Sequence, residues 1–178
     1  MTIADDELAL RAAKGEAAAF RLLLERHYGL LYRWAYRIFG STAEAEDVAQ
    51  EIALSLDCKV RLFRGESRFS TWLYRVTVNA CRDHARRQVR SRHIHAAYAV
   101  AQGDRLADWA DSEVRLRWLY GAIDRLDPAL KETALLVLAE DLSHAQAGEI
   151  LGVRESTVSW RMHEVRKRLK AMASITDD

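Results

Sequence analysis

The sequence predicts an all-α protein built from two small helical domains joined by a linker. Only eight of the 178 residues are glycine and one is proline, so few positions interrupt a helix. Ala, Leu, Arg and Glu, which favour helices, are abundant. No alternation of apolar and polar residues lasts long enough to indicate a sheet.

Two helices are predicted before residue 41. The first spans about 5–14 and ends at Gly15, and the second spans about 16–39 and ends at Gly40. The apolar side chains of the second helix recur near helical spacing, at Phe20, Leu23, Leu24, Leu31 and Ala35.

The third and fourth predicted helices flank a loop. Ser41 or Thr42 can cap the third helix, which contains the sequence AEAEDVAQEIALSL. The loop FRGESRF follows, with Gly65 as the helix breaker. The fourth helix spans about 70–88 and carries aromatic and β-branched residues ahead of a run of arginines.

Helical periodicity weakens over residues 89–112 and returns over 114–126. We therefore predict a first domain over 1–90, a linker over 91–112 and a second domain over 113–178.

The second domain contains further helix-start signals. Asp127 can cap a helix that has Pro128 at its first position. Ser143 and Gln146 form a capping box for the short helix HAQAGEIL. A final helix is predicted over about 156–172.

Charge alternates along the chain, although the net charge is only +1. Residues 59–92 hold ten basic and two acidic side chains, and residues 154–178 hold six and four. The segments 1–57 and 93–153 are acidic. Two basic blocks indicate two anion-binding surfaces, although a solvated helix face would explain either block alone.

Composition excludes several classes of protein. The acidic start MTIADDELALRAAKG has no signal-peptide pattern, no apolar run reaches the length of a membrane span, and two cysteines give no disulfide framework. We therefore expect a cytoplasmic location. No catalytic triad, paired-carboxylate cleft or glycine-rich phosphate loop is present, so we expect no enzymatic activity, no cofactor and no small-molecule substrate.

A metal site is a weaker alternative near the fourth helix. Cys81 and His84 are three residues apart, and His93 and His95 follow. Cys58 provides no second close pair, so we favour structural roles over metal binding.

The segment SHAQAGEILGVRESTVSWRMHEVRKRL has the spacing of a helix-turn-helix. Ala147 is small enough for two helices to cross closely, and Gly152 lies in the turn. The apolar stripe of the second helix consists of Val158, Met162, Val165 and Leu169. The opposite, polar face consists of Thr157, Arg161, Glu164 and Arg168. Such a helix can enter the DNA major groove, and a plain helical hairpin with solvated charges is the alternative.

These segments and their order resemble the extracytoplasmic function (ECF, group 4) σ factors of bacterial RNA polymerase. The N-terminal half is similar to σ region 2, through AEDVAQE and FSTWLYRVTVNACRDHARR. The C-terminal half is similar to σ region 4, through LDPALKETALLVLAEDLS and the helix-turn-helix. The resemblance covers nearly all of residues 15–172.

The resemblance implies partners and a division of labour. Region 2 would bind the β′ clamp helices of core RNA polymerase and open the −10 element of promoter DNA. Region 4 would bind the −35 element as duplex and touch the β flap. An anti-σ factor, membrane-bound or zinc-containing in some related systems, would occlude both domains.

Three sets of candidate binding residues follow. The polymerase-binding set, outward on the third helix, is Glu44, Asp47, Gln50 and Glu51, opposite a predicted core of Ala45, Val48, Ala49 and Ile52. The −10 set is Phe63, Ser67, Phe69, Trp72, Arg75, Asn79, Arg82 and Arg86. The −35 set is Arg154, Ser156, Thr157, Ser159, Trp160, Arg161, His163 and Lys167.

Different roles are expected within the −10 set. Arg75, Asn79, Arg82 and Arg86 form one polar stripe opposite an inner stripe of Leu73, Val76 and Ala80. The arginines can neutralise phosphates, and the Asn79 amide can read a base edge. Phe63, Ser67 and Phe69 could line a pocket for an unstacked base, whereas a core role is favoured for Trp72.

The final helix departs from the usual family pattern at Ser159, Trp160 and Glu164. The −35 sequence that it prefers is therefore open, and an acid at 164 could repel phosphate or accept from cytosine.

Two alternatives to a σ factor remain. A σ-like mimic could titrate an anti-σ factor without opening DNA, and a helix-turn-helix regulator could act without polymerase. The basic stripe argues against the first alternative, and AEDVAQE would have no role in the second.

Overall fold

The computed structural model describes residues 3–94 and 111–174. Every regular element in these residues is helical, which confirms the predicted fold class. The chain divides into two compact units, Met1–Arg105 and Leu106–Asp178. None of the described helices is both long enough and apolar enough to span a lipid bilayer.

Four helices form the first unit: α1 (Asp5–Ala13), α2 (Ala17–Phe39), α3 (Thr42–Val60) and α4 (Phe69–Ile94). Gly40 takes a left-handed φ of 69° and ends α2, a conformation that glycine adopts without steric cost. The Ser41 hydroxyl accepts a hydrogen bond from the Glu44 amide at 3.3 Å, so Ser41 caps α3.

The core of the first unit lies mainly between α2 and α3. Ala45, Val48, Ala49 and Ile52 are all buried, which confirms the inner face predicted for α3. From α2, Leu23, Leu31 and Ala35 are buried as predicted. Phe20 and Leu24 are only half-buried.

The side of α4 that faces the core is rotated by about one residue from the predicted side. Leu73 is buried, but Val76 and Ala80 are half-buried. The buried side chains are instead Leu73, Tyr74, Thr77, Val78 and Cys81. Edge-to-face contacts with α2, Trp34 to Tyr74 at 5.9 Å and Phe39 to His84 at 5.2 Å, accompany this orientation.

The second unit contains α5 (Asp111–Asp124), α6 (Pro128–Ala134), a π-helical turn (Leu135–Ala139), α7 (His144–Leu151) and α8 (Glu155–Ser174). Helices α4 and α5 enter the predicted linker, since α4 continues to Ile94 and α5 begins at Asp111. The hydrophobic periodicity weakens after residue 88, but α4 does not end there. Arginine favours helices, and the sequence has no glycine or proline between residue 88 and Gly103. The rest of the predicted linker, with His95, lies outside the described residues.

The core of the second unit joins α6, α7 and α8. Ala147, Val158, Met162 and Val165 are fully buried, and Leu169 is half-buried. The closest backbone approach is at Gly148, where an added Cβ would lie 2.8 Å from the Val153 carbonyl oxygen. Close crossing of α7 therefore depends on Gly148 in addition to the predicted Ala147.

Candidate functional site

The outward face of α3 is acidic and partly bonded to α4. Asp47 and Gln50 are exposed. The Glu44 carboxylate accepts a hydrogen bond from Gln88 Nε2 at 2.8 Å. The Glu51 carboxylate accepts two from Arg87 Nη2, at 2.8 and 2.6 Å. Asp47 and Gln50 are thus the two members of the predicted set that point most openly to solvent.

Leu54 extends this face and was not predicted. It is 83% exposed and lies seven residues after Asp47 and three after Glu51, on the same side of α3. The face therefore combines carboxylates, an amide and one large apolar side chain. The available signal was an apolar residue that shares the side of α3 on which Asp47 and Glu51 lie.

The N-terminus of α4 is anchored by a side chain from α1. The Asp6 Oδ1 atom accepts a hydrogen bond from the Phe69 amide at 2.6 Å. This carboxylate satisfies one of the backbone N–H groups that begin a helix, and its charge suits the positive end of the helix dipole. Leu10 of α1 lies over Gly65 in the loop before α4: a Cβ added at Gly65, whose φ is 73°, would lie 3.5 Å from Leu10 Cδ2.

The predicted base pocket is wrong for Phe63 and Phe69. Phe63 is 4% exposed and Phe69 is fully buried. Their rings pack edge-to-face at 5.8 Å, and both contact the half-buried Trp72 at 5.7 Å. These aromatic side chains fix the start of α4 to the core because their apolar area outweighs any gain from lining an open pocket. Ser67, half-buried in the loop, remains close to the surface.

The polar stripe of α4 is rotated together with its inner face. Asn79 and Arg86 are exposed, whereas Arg75 and Arg82 are half-buried at its flank. Burial raises the pKa of Tyr74, and Arg37 and Arg33 of α2 act in the opposite direction. Positive charge therefore extends from α4 onto the neighbouring part of α2.

The helix-turn-helix is fixed by local contacts. Ser143 and Gln146 form the predicted capping box at the start of α7. Gly152 ends α7 with a φ of 70°. His144 Nδ1 and Ser159 Oγ lie 2.9 Å apart and join α7 to α8 by a hydrogen bond.

The polar face predicted for α8 needs correction, because three of its four members lie at the edge of the core and only Arg168 is exposed. Thr157, Arg161 and Glu164 are half-buried. Arg161 Nη1 donates to Thr133 Oγ1 at 3.5 Å. Arg168 pairs with Glu164 at 3.1 Å and with Asp127 at 3.0 Å. The acid at 164 thus has a cation beside it within its own unit.

The side chains that point away from the core of α8 form a different stripe. Apart from Glu155 and Arg166, which lie off this stripe, the exposed ones from the preceding turn to residue 167 are Arg154, Ser156, Ser159, Trp160, His163 and Lys167. All belong to the predicted −35 set. Their spacing follows the helical period, so they share one side of α8. A duplex that approached this side would meet Trp160 and His163 before Arg161.

The Cys81 and His84 pair does not extend into a larger cluster within the described residues. Cys81 is buried, and His84 packs on Phe39 and lies 3.1 Å from Gln88. No group of three or more potential metal ligands is found among the described side chains.

Comparison with known protein families matches both units. Residues 23–91 match the family described as Sigma-70 region 2, and residues 116–169 match Sigma-70, region 4.

Among curated relatives, the chain is 30% identical to the RNA polymerase sigma factor NccH of Alcaligenes xylosoxydans xylosoxydans, covering 94% of each chain. It is 29% identical to the ECF RNA polymerase sigma factor SigW of Bacillus subtilis, covering 88% of this chain and 90% of the relative.

Two solved structures share the fold. CnrH, solved in complex with the cytosolic domain of CnrY, is 26% identical with a TM-score of 0.71 and covers 97% of this chain and 99% of its own. The sigma factor RpoE of Bartonella quintana, solved with the anti-sigma factor NepR, is 20% identical with a TM-score of 0.73 and covers 88% and 97%.

Proposed function

This chain belongs to the ECF family of RNA polymerase sigma factors, the subunits that direct promoter-specific initiation, and we propose how its surfaces divide that work. Region 2 occupies residues 1–90, a linker follows to about 112, and region 4 occupies 113–178. The protein acts in the cytoplasm as an initiation factor, and the polymerase that it binds performs the chemistry.

Core polymerase docks on the outward face of α3. Asp47 and Gln50 are exposed there, with Glu44 and Glu51 beside them. Carboxylates and an amide on one face suit a basic coiled coil through charge-assisted hydrogen bonds. The β′ clamp helices are the partner that the family implies. The β flap is the corresponding partner of region 4.

Helix α4 and the loop before it bind the −10 element. Asn79 is exposed, and its amide can donate to and accept from one base edge. Arg75, Arg82 and Arg86 supply positive charge for the phosphates. Capture of an unstacked base near Ser67 and the open edge of Trp72 would offset an unstacking cost of a few kcal/mol per step.

Helix α8 binds the −35 element as duplex DNA. The exposed stripe from Ser156 to Lys167 lies on one side of α8, and Arg154 precedes it in the turn. Helix N-terminal residues of such motifs reach base edges, while later cations contact phosphates.

An anti-σ factor controls access to these surfaces. The support is the family itself and CnrH, a relative 26% identical that was solved bound to the cytosolic domain of CnrY. A partner that covers the α3 face or α8 would shift the population away from polymerase-bound σ factor.

One observation carries the division of labour: the chain presents an exposed acidic α3 face and an exposed Asn79 within a single region 2 unit. A run-off transcription assay with core polymerase and a randomised promoter library tests it. The expected result is initiation from promoters that share a −10 and a −35 sequence.

Two variants separate base reading from phosphate contact in that assay. Asn79→Ala should change the preferred −10 sequence, because it removes the amide that reads a base edge. Arg75→Ala should weaken opening with little change of preference. Absence of specific initiation by the unmodified chain would contradict the proposal, and so would the same uniform loss from both variants.

A further inference from the structure

Trp160 is the most exposed of the large apolar side chains described in the second unit, at 63%. It is the sixth residue of α8, which begins at Glu155. The core contacts of this helix come from its other side, through Val158, Met162 and Val165. A single exposed apolar residue needs no explanation by itself, but this one stands on the outward side of a helix that enters a DNA groove.

Three polar neighbours of Trp160 are held by their own unit, whereas Ser156 and His163 are exposed on its side of α8. Ser159 is hydrogen-bonded to His144 at 2.9 Å. Arg161 reaches Thr133 at 3.5 Å. Glu164 accepts from Arg168 at 3.1 Å, so an acid that could accept from cytosine is already engaged. The indole ring is therefore the largest group that α8 offers to a base edge.

The chemistry of the major groove identifies what an indole can recognise there. Base pairs present hydrogen-bond donors and acceptors in that groove, and the C5 methyl of thymine is the apolar group among them. Packing an aromatic ring on this methyl removes apolar area of both from water. We propose that Trp160 determines specificity by recognising the C5 methyl of a thymine in the −35 element. This inference rests on the proposed function, because it requires α8 in the major groove.

Removal of single methyl groups from the DNA tests the contact. Uracil replaces each thymine of the selected −35 element in turn, which deletes the methyl and keeps the base-pairing groups. Binding is measured with holoenzyme formed from the full chain and core polymerase. At one or two positions the wild-type holoenzyme should bind about fourfold more weakly, the effect expected for one lost methyl contact.

Protein variants then assign the contact to Trp160. Trp160→Ala should bind the thymine promoter more weakly and lose the uracil effect at those positions. Trp160→Gln, which keeps a long side chain without the ring, should behave in the same way. The matched control is Lys167→Ala, on the same exposed side of α8, which should weaken binding but keep the uracil effect.

The outcomes are distinguishable from those of the proposed function. A wild-type holoenzyme that initiates specifically but shows no uracil effect in the −35 element would overturn the role of Trp160 and leave the σ-factor assignment standing. An unchanged uracil effect in both Trp160 variants would also overturn the role of Trp160 and leave the σ-factor assignment standing. Failure of wild-type holoenzyme to select any promoter would overturn both.

Discussion

The two units hold the helices that we propose to face DNA in different ways. In the first unit, α4 is anchored by residues distant in sequence: Asp6 caps it, and Glu51 and Glu44 of α3 bond to Arg87 and Gln88. In the second unit, α8 is positioned by the adjacent helix α7, through the Gly152 turn and the His144–Ser159 bond, and by bonds of Arg161 to Thr133 and of Arg168 to Asp127. The face proposed for polymerase and the face proposed for −10 DNA are therefore physically joined, whereas the helix proposed to bind −35 DNA is held by residues of its own unit that belong to neither face.

The largest expected effect comes from reversing a charge on the α3 face. Asp47→Lys should weaken binding to core polymerase by about 100-fold, because like charges placed across an interface cost several kcal/mol. Anisotropy of labelled σ factor titrated with core polymerase measures this. The matched control is Glu46→Lys, an exposed acid on a different side of α3, which should bind within about threefold of wild type. Equal losses from both variants would mean that general charge, and not this face, governs docking.

A second prediction compares two cations of α8. Lys167 is exposed, whereas Arg168 is paired with Glu164 and Asp127. Lys167→Ala should lower the slope of log affinity against log salt for −35 duplex by about 1, as expected for one lost phosphate contact. Arg168→Ala should change the slope less and should lower the thermal midpoint of the second unit. The reverse ranking would show that DNA displaces the acids from Arg168.

The third prediction addresses the long-range anchor of α4. Asp6→Ala should lower the free energy of unfolding of the first unit by about 1 kcal/mol, the usual effect of losing a helix N-cap. Hydrogen exchange at the Phe69 amide should accelerate, since that group loses its acceptor. Glu7→Ala is the matched control, because Glu7 is exposed beside Asp6 and has no contact with α4 among those described. A Phe69 amide that remains protected in Asp6→Ala would mean that the aromatic packing alone holds this end.

The sequence predicted α3 and α8 better than α4, for a physical reason. On α3, Ala45, Val48, Ala49 and Ile52 recur at helical spacing opposite the acidic side chains, so they could be assigned to the core. On α4 the side chains from Leu73 to Ala80 are apolar or β-branched around much of the helix, so periodicity alone did not select a face. The packing of Tyr74 on Trp34 decided it.

Contacts between distant residues were beyond the reach of sequence patterns. The Asp6–Phe69 bond joins positions 63 apart, and no local signal distinguishes Asp6 from its acidic neighbours. The same is true of Arg87, which looked like one more cation of a basic run until the structure placed it on Glu51. By contrast, Trp160 could be recognised from the sequence, because it lies off the apolar stripe of α8.

The smallest expected effect concerns the tether between α1 and α2, by which we mean the contacts of Asp5 with Arg26 and His27. Asp5 Oδ1 lies 2.6 Å from Arg26 Nη1, and Asp5 Oδ2 lies 2.9 Å from His27 Nε2. Burial raises the pKa of Asp5, but the hydrogen bonds from Arg26 and His27 outweigh it, and the net pKa lies below the ordinary value of 3.8. When folding lowers the pKa of a carboxyl group, its ionised form stabilises the folded state. This stabilisation is complete at pH values above the pKa of the unfolded state, and it is lost as the pH falls through the pKa of the folded state.

Asp5→Asn should therefore lower the unfolding midpoint of the first unit slightly at pH 7, and the difference from wild type should shrink as the pH falls below about 4. Chemical unfolding of both proteins across this pH range is the measurement. Glu46→Gln, which removes an exposed carboxylate of α3 for which no ion pair is described, is the matched control for lost charge alone. If the difference between Asp5→Asn and wild type stayed constant down to pH 3, the tether would depend on hydrogen bonding that the amide cannot reproduce and not on ionisation. If it vanished on acidification, the first unit would have a charge-dependent contact that joins α2 to α1, the helix whose Asp6 caps α4.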